Sequence, residues 1–134
     1  MAHNRKIVLG GVSLTRARLN RAIYQVSNEV MDEVETLTLK SGYLEQAPFR
    51  WVGLVFRYGL KNDDEPHYKP IDPKDGELPL AIEFDTHEVR AASPEELRRK
   101  LSLGALKALI HAGRKFGLPI AGLEERYNQL TGGA

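Results

Sequence analysis

Leu80-Ala81-Ile82-Glu83-Phe84-Asp85, then Ser93-Pro94-Glu95-Glu96, then a helical run closing on Lys115-Phe116-Gly117-Leu118-Pro119: this stretch decides the fold class. Leu80, Ile82 and Phe84 alternate with Ala81, Glu83 and Asp85, the period of a strand with one face inward. Ser93 is placed to cap a helix, Pro94 sits where its missing N–H costs nothing, and Glu96 completes a capping box. Leu97, Leu101, Ala105, Ala108, Leu109, Ala112 and Phe116 recur at helical spacing. Gly117 suits a left-handed cap, and Pro119 prevents the helix from resuming. A strand followed by a long amphipathic helix is the unit around which the rest is read.

Upstream, Leu19, Ile23, Val26, Val30, Val34 and Leu37 mark a second long helix, capped by Ser13 or Thr15 and ended by Ser41-Gly42. Lys6 to Val12 reads as a first strand or extended arm closed by Gly10-Gly11. Phe49 to Leu60 reads as a strand with Val52, Leu54, Phe56, Tyr58 and Leu60 on one face and Trp51, Val55 and Arg57 on the other. Lys61-Asn62-Asp63-Asp64 is a polar hairpin connection. His67 to Ile71 is the partner strand, set at a sheet edge because Pro66 and Pro70 cannot donate to a ladder. Pro73-Lys74-Asp75-Gly76 is a turn. A short helix from about Gly122 to Leu130 closes the chain. Short turns between successive strands imply an antiparallel meander. The expectation is an α+β, two-layer domain spanning residues 1–134. Its antiparallel sheet of three to four strands packs against two long helices, near 15–41 and 94–116, plus a short C-terminal helix.

The 134 residues, 42% hydrophobic and 28% charged, suffice for a folded core. The absence of cysteine excludes disulfides and thiolate metal sites and suits a reducing cytoplasm. The apolar run before Gly10 is too short for a signal-peptide core, and no stretch approaches the roughly 20 apolar residues of a membrane helix. A cytoplasmic location is expected.

The net charge of +1 hides blocks. Residues 1–28 hold five bases and no acid; residues 29–45 hold five acids against Lys40. From Asp63 to Glu88 nine acids face two lysines, and from Arg90 to Lys115 seven bases face Glu95 and Glu96. The first long helix starts with Arg16, Arg18 and Arg21 and ends with Asp32, Glu33 and Glu35. That opposes the helix dipole, where the favourable order is worth about 0.3–1 kcal/mol per charge. Either neighbouring elements neutralise these charges, or they form patches for an oppositely charged partner.

Catalytic and metal chemistry finds little support. Glu83, Asp85 and His87 share a strand side, with Glu88 adjacent and His67 available, but a solvated strand face explains them better than a cation site. His111 on the C-terminal helix reads as a boundary residue, and His3 carries no argument. The serines have local explanations as caps, turns or helix surface, outside any nucleophile elbow. Gly10-Gly11 lacks the spacing of a phosphate loop. No catalytic residue, cofactor or metal is assigned. The basic set Arg98, Arg99, Lys100, Lys107, Arg114 and Lys115 leaves one alternative, a small nucleic-acid-binding or regulatory protein. The nearby acids and the 7% aromatic content argue against it.

Three segments carry a family resemblance: His3-Asn4-Arg5-Lys6 leading into Val8-Leu9-Gly10-Gly11, Leu80 to Asp85, and Leu106 to Leu109 running into Lys115-Phe116-Gly117-Leu118-Pro119. On these the chain resembles immunity protein family thirty-nine of the bacterial polymorphic-toxin and contact-dependent inhibition systems. The resemblance implies a small, soluble, non-enzymatic protein encoded beside a toxin and binding it in the producing cell's cytoplasm. It brings no catalytic residues and leaves the toxin's chemistry open. The residues expected to meet a toxin domain are Asp63, Asp64, Glu65, Asp85 and Glu88 from the acidic stretch. Trp51, Arg57 and Tyr68, with Tyr43, are the expected exposed-face anchors.

Overall fold

A computed structural model describes residues 6–9, 12–57, 68–73, 79–85 and 93–132, of which 6–9, 12–20, 56, 57, 68, 69 and 85 are described by backbone alone. Strands β1 (Lys6–Leu9) and β2 (Val12–Thr15) pair antiparallel on either side of Gly10-Gly11, with Leu9 opposite Val12 and Lys6 opposite Thr15. Helix α1 (Arg16–Ser41) follows β2 without a break, so Ser13 lies in a strand and Thr15 immediately precedes the helix. Helix α2 (Tyr43–Gln46) begins after Gly42, which takes the left-handed conformation expected of it at φ 78°. Strands β3 (Trp51–Arg57), β4 (Tyr68–Ile71) and β5 (Leu80–Asp85) form a second sheet. Helices α3 (Pro94–Phe116) and α4 (Ala121–Leu130) complete the order.

Helix α3 is the axis of the packing. It touches α1, α4 and all three strands of the second sheet. The expected stripe is buried, with Leu101, Ala105, Leu109 and Ala112 fully enclosed and Phe116 half-buried. Ser102, Gly104, Leu106, Ile110 and Gly113 are buried as well. At 100° per residue the hidden arc covers roughly two-thirds of the circumference, because the helix is covered from more than one side. Its ends are fixed locally. Ser93 Oγ accepts the Glu96 amide at 3.1 Å, and both Gly117, at φ 68°, and Leu118 return their amides to the Gly113 carbonyl. The Glu96 carboxylate accepts from Arg99 Nη1 at 3.4 Å rather than closing the capping box.

Helix α1 buries Ile23, Ser27, Val30, Val34 and Thr38, with Val26 and Leu37 against the same core. The hydroxyls of Ser27 and Thr38 donate to the carbonyls of Tyr24 and Glu35 within the helix, which removes the cost of their burial. Gly113 lets α3 approach its neighbours, for a Cβ there would stand 3.0 Å from Tyr43 Cε2 and collide with Ile120.

The sheet departs from expectation. Its order is β3-β5-β4, with β5 parallel to β3 and antiparallel to β4, so it is mixed and the antiparallel meander is wrong. No hairpin pairs β3 with β4. The reason lies in the strands themselves. Leu80, Ala81, Ile82 and Phe84 are all at least 95% buried, so β5 belongs in the centre with both edges paired. Pro70, opposite Ile82, confines β4 to an edge, as expected, and β3 takes the other.

Strand β3 also changes face partway along. Trp51 registers with Leu80 and Gly53 with Ala81, so Val52 is an extra residue in the ladder. A single inserted residue reverses the alternation on one side of it. Trp51 therefore shares the inner face with Leu54, which registers with Ile82, and both pack partly against the core. The expected placement of Trp51 on the opposite face from Leu54 fails for this reason. Among the described side chains of β3, Val52 and Val55 are exposed. Gly53 sits at φ 119° beneath Met31 of α1, whose sulfur would lie 2.8 Å from any Cβ there.

Candidate partner-binding surface

Among the described residues, several charges of the blocks meet partners across the helix packing. Glu29 of α1 accepts from Arg98 Nη2 of α3 at 2.5 Å, and Glu33 accepts from Arg126 Nε of α4 at 2.7 Å. Arg114 of α3 reaches Glu124 of α4 at 2.8 Å. Asp72 lies 3.4 Å from His111 Nε2, and Lys115 donates to the Pro73 carbonyl at 3.5 Å while its ammonium stands 5.5 Å from the Phe116 ring centre. Basic residues of α3 and α4 thus meet acids from α1, α4 and the segment before β5. Each exposed pair is worth about 0.2–1 kcal/mol, so together they fix the seams between elements more than they stabilise the fold. The dipole opposition on α1 is also milder than its sequence implies. The helix runs past Glu35 to Ser41, and its last turn holds Lys40 and no acid.

Where Glu33 and Arg126 cross, α1, α4 and the start of α3 enclose a groove of about 460 Å³. Val26, Pro94 and Leu130 give it apolar walls, and Arg98, Arg99, Arg126, Glu33 and Glu95 stand around it. Arg99 Nε donates to the Leu130 carbonyl at 3.3 Å, satisfying the end of α4, and Arg126 Nη1 donates to Gln129 at 3.2 Å. Ser102, only 3% exposed, also lines the groove. Arg98 and Arg99 belong to the basic set visible in the sequence. Arg126 does not, and only the docking of α4 on α1 brings it beside them.

The residues expected to meet a partner fare differently. Asp63, Asp64, Glu65 and Glu88 lie outside the described residues, as do His67 and His87. Arg57, Tyr68 and Asp85 are placed on β3, β4 and β5 by their backbone, with Arg57 in register with Asp85. Trp51 is half-buried, and its indole Nε1 is enclosed with no hydrogen-bond partner among the described residues. Tyr43 is fully buried, a correction to its reading as an exposed anchor. Its ring packs edge-on to Phe49 at 6.1 Å between centroids, and its hydroxyl donates to the Leu109 carbonyl at 2.6 Å. Burial pushes the Tyr43 phenol well above its ordinary range. Among the described residues no group of three or more histidines, cysteines or carboxylates is placed to hold a metal ion, and no helix is long and apolar enough to cross a membrane.

Fold and surface define a small α+β protein with charged helix seams and a groove between α1, α3 and α4. The sequence profile of the family described as immunity protein 39 matches residues 1–129, and the chain belongs to that family. No curated protein and no solved structure matches it.

Proposed function

We propose that this protein is the immunity partner of a toxin domain encoded beside it. It binds that domain one to one in the cytoplasm, with nanomolar or tighter affinity, and blocks its active site or an essential surface without catalysis or a cofactor. Residues 1–134 act as one domain in this reading. The carrying observation is the family match over nearly the whole chain. A well-packed core supports it, since a preorganised surface loses less freedom on binding. The nucleic-acid alternative is weaker, because Arg98, Arg99 and Arg114 are each ion-paired to a glutamate instead of lying free for phosphates.

If the toxin is a nuclease, the acidic stretch from Asp63 to Glu88 is suited to its basic active site. Replacing Asp63, Asp64 and Glu65 by serine then slows association and lowers its salt sensitivity, read by stopped-flow mixing at several salt concentrations. The decisive experiment is co-expression with the neighbouring gene. A stable complex and rescued growth support the proposal; a folded, toxic neighbour that is neither bound nor neutralised overturns it.

A further inference from the structure

We infer that Met31 is a reversible oxidation site: peroxide converts its thioether to the sulfoxide, and that change loosens α1 from β3. This holds whether or not the chain neutralises a toxin. Met31 and Met1 are the two methionines, and there is no cysteine, so peroxide meets no thiol. The Met31 sulfur sits at a close contact. Met31 is half-buried on α1, whereas Gly53 of β3 is buried. The three atoms nearest to the place a Cβ on Gly53 would occupy all belong to Met31: its methyl, its sulfur at 2.8 Å and its Cγ at 3.6 Å. The thioether thus fills the space that a side chain at position 53 would take. Gly53 in turn holds φ 119°, which disfavours any other residue, just where Val52 adds a residue to the ladder. A regular strand would offer the thioether no such seat.

The site is also reachable. Half-burial leaves part of the Met31 side chain in contact with water, Asp32 and Glu35 beside it on α1 are exposed, and Val52 next to Gly53 is 42% exposed. A small neutral oxidant therefore arrives without global unfolding. With hydrogen peroxide, a sulfur lone pair attacks one peroxide oxygen, the S–O bond forms as the O–O bond breaks, and hydroxide leaves. The hydroxide takes the proton from the new S–OH group, so the products are the sulfoxide and water; sulfur is oxidised and peroxide reduced. The product is polar and wider at sulfur by one oxygen. Over Gly53 that oxygen either turns toward water, which draws the sulfur off its seat, or presses on buried backbone. Both outcomes weaken the contact between α1 and β3, because a packed interior has no room for an extra atom. Methionine sulfoxide reductases return the thioether, and with it the seat.

The test treats the full-length protein with dilute hydrogen peroxide and follows peptide mass, thermal melting and hydrogen exchange. Met31 should gain one oxygen while the chain stays folded. The melting temperature should then fall by about 3 °C or more, and exchange should rise at β3 amides while the middle of α3 keeps its protection. Treatment with reductases for both sulfoxide epimers should reverse every change. Met31→Leu, which keeps the apolar bulk and removes the sulfur, should show no fall on peroxide treatment. The cycle of oxidation and reduction on the wild type needs no variant, so it decides the matter even if Met31→Leu folds poorly. A Met31 that resists peroxide until the protein unfolds overturns the site. So does a Met31 sulfoxide with unchanged melting and exchange, an equal fall in Met31→Leu, or a fall that reduction does not reverse.

Discussion

Tyr43 and Trp51 stand eight residues apart and carry the same kind of side chain, a large apolar body with one polar atom. Tyr43, at the start of α2, is wholly buried and its hydroxyl is answered by a carbonyl of α3. Trp51, at the start of β3, is half-buried and its indole nitrogen is enclosed without a partner among the described residues. The contrast extends to their surroundings. Around Tyr43, α3 is capped at both ends and Gly113 sits at a close helix contact. Around Trp51 come an extra residue in the ladder, a glycine at φ 119°, and two exposed valines. Beside Tyr43 the hydroxyl and the ends of α3 are answered, whereas the β3 edge holds several departures within five residues. Stability should therefore concentrate in the first region and strain in the second.

The largest effect belongs to the helical layer. Leu101→Ala removes a fully buried side chain from α3 and should cost about 2–5 kcal/mol in urea unfolding. Val55→Ala, on the exposed side of β3, should cost far less; equal losses would erase the contrast.

Next comes the strained glycine. Gly53→Ala should cost about 1–3 kcal/mol, from the unfavourable φ and the collision with Met31. In a Met31→Ala background the additional loss should shrink without vanishing, because trimming methionine relieves the collision and leaves the backbone angle. Full rescue would show that the angle costs nothing.

Tyr43→Phe should cost about 0.5–1.5 kcal/mol, the worth of one buried hydrogen bond. It should also alter the alkaline limb. The folded phenol holds its proton to higher pH than the unfolded one, so its stabilisation is complete below about pH 10 and declines as pH rises beyond that. Tyr43→Phe should flatten the fall that thermal melts between pH 9 and 11 show for the wild type, by about the part this group contributes. Trp51→Phe is the matching probe. It deletes an unsatisfied donor, so it should cost less than the loss of buried indole area alone implies.

The smallest effect lies in the seam. A double-mutant cycle on Glu33 and Arg126, whose side chains are about a third exposed, should return a coupling of about 0.2–1 kcal/mol that fades in high salt. A larger, salt-resistant coupling would make that seam part of the core.

The helices were legible because their signals are local. Ser93, Pro94, Gly42 and Gly117 act within a turn of themselves, and the burial of Leu97 to Ala112 follows a period of 3.6 residues. The sheet was legible only in part. Pro70 correctly sent β4 to an edge, but the insertion of β5 between β3 and β4 depends on which strand can be enclosed on every side. The extra residue at Val52 has no strong local mark; Gly53 was the available cue, since an isolated glycine in a strand often signals a bulge. The candidate groove was half visible, in Arg98 and Arg99, and half hidden, because Arg126 lies on an element that reads as an ordinary short amphipathic helix.

By itself the sequence determined the three longer helices and their ends, the edge position of β4 and the family to which the chain belongs, all carried by residue type at fixed local spacing. The tertiary structure alone decided the strand order, the inward turn of Trp51, the burial of Tyr43 and the meeting of three arginines over Ser102. Those outcomes join residues distant along the chain, as Arg126 and Glu33 are 93 positions apart. Local periodicity constrains which face an element buries, but not which distant element will cover it.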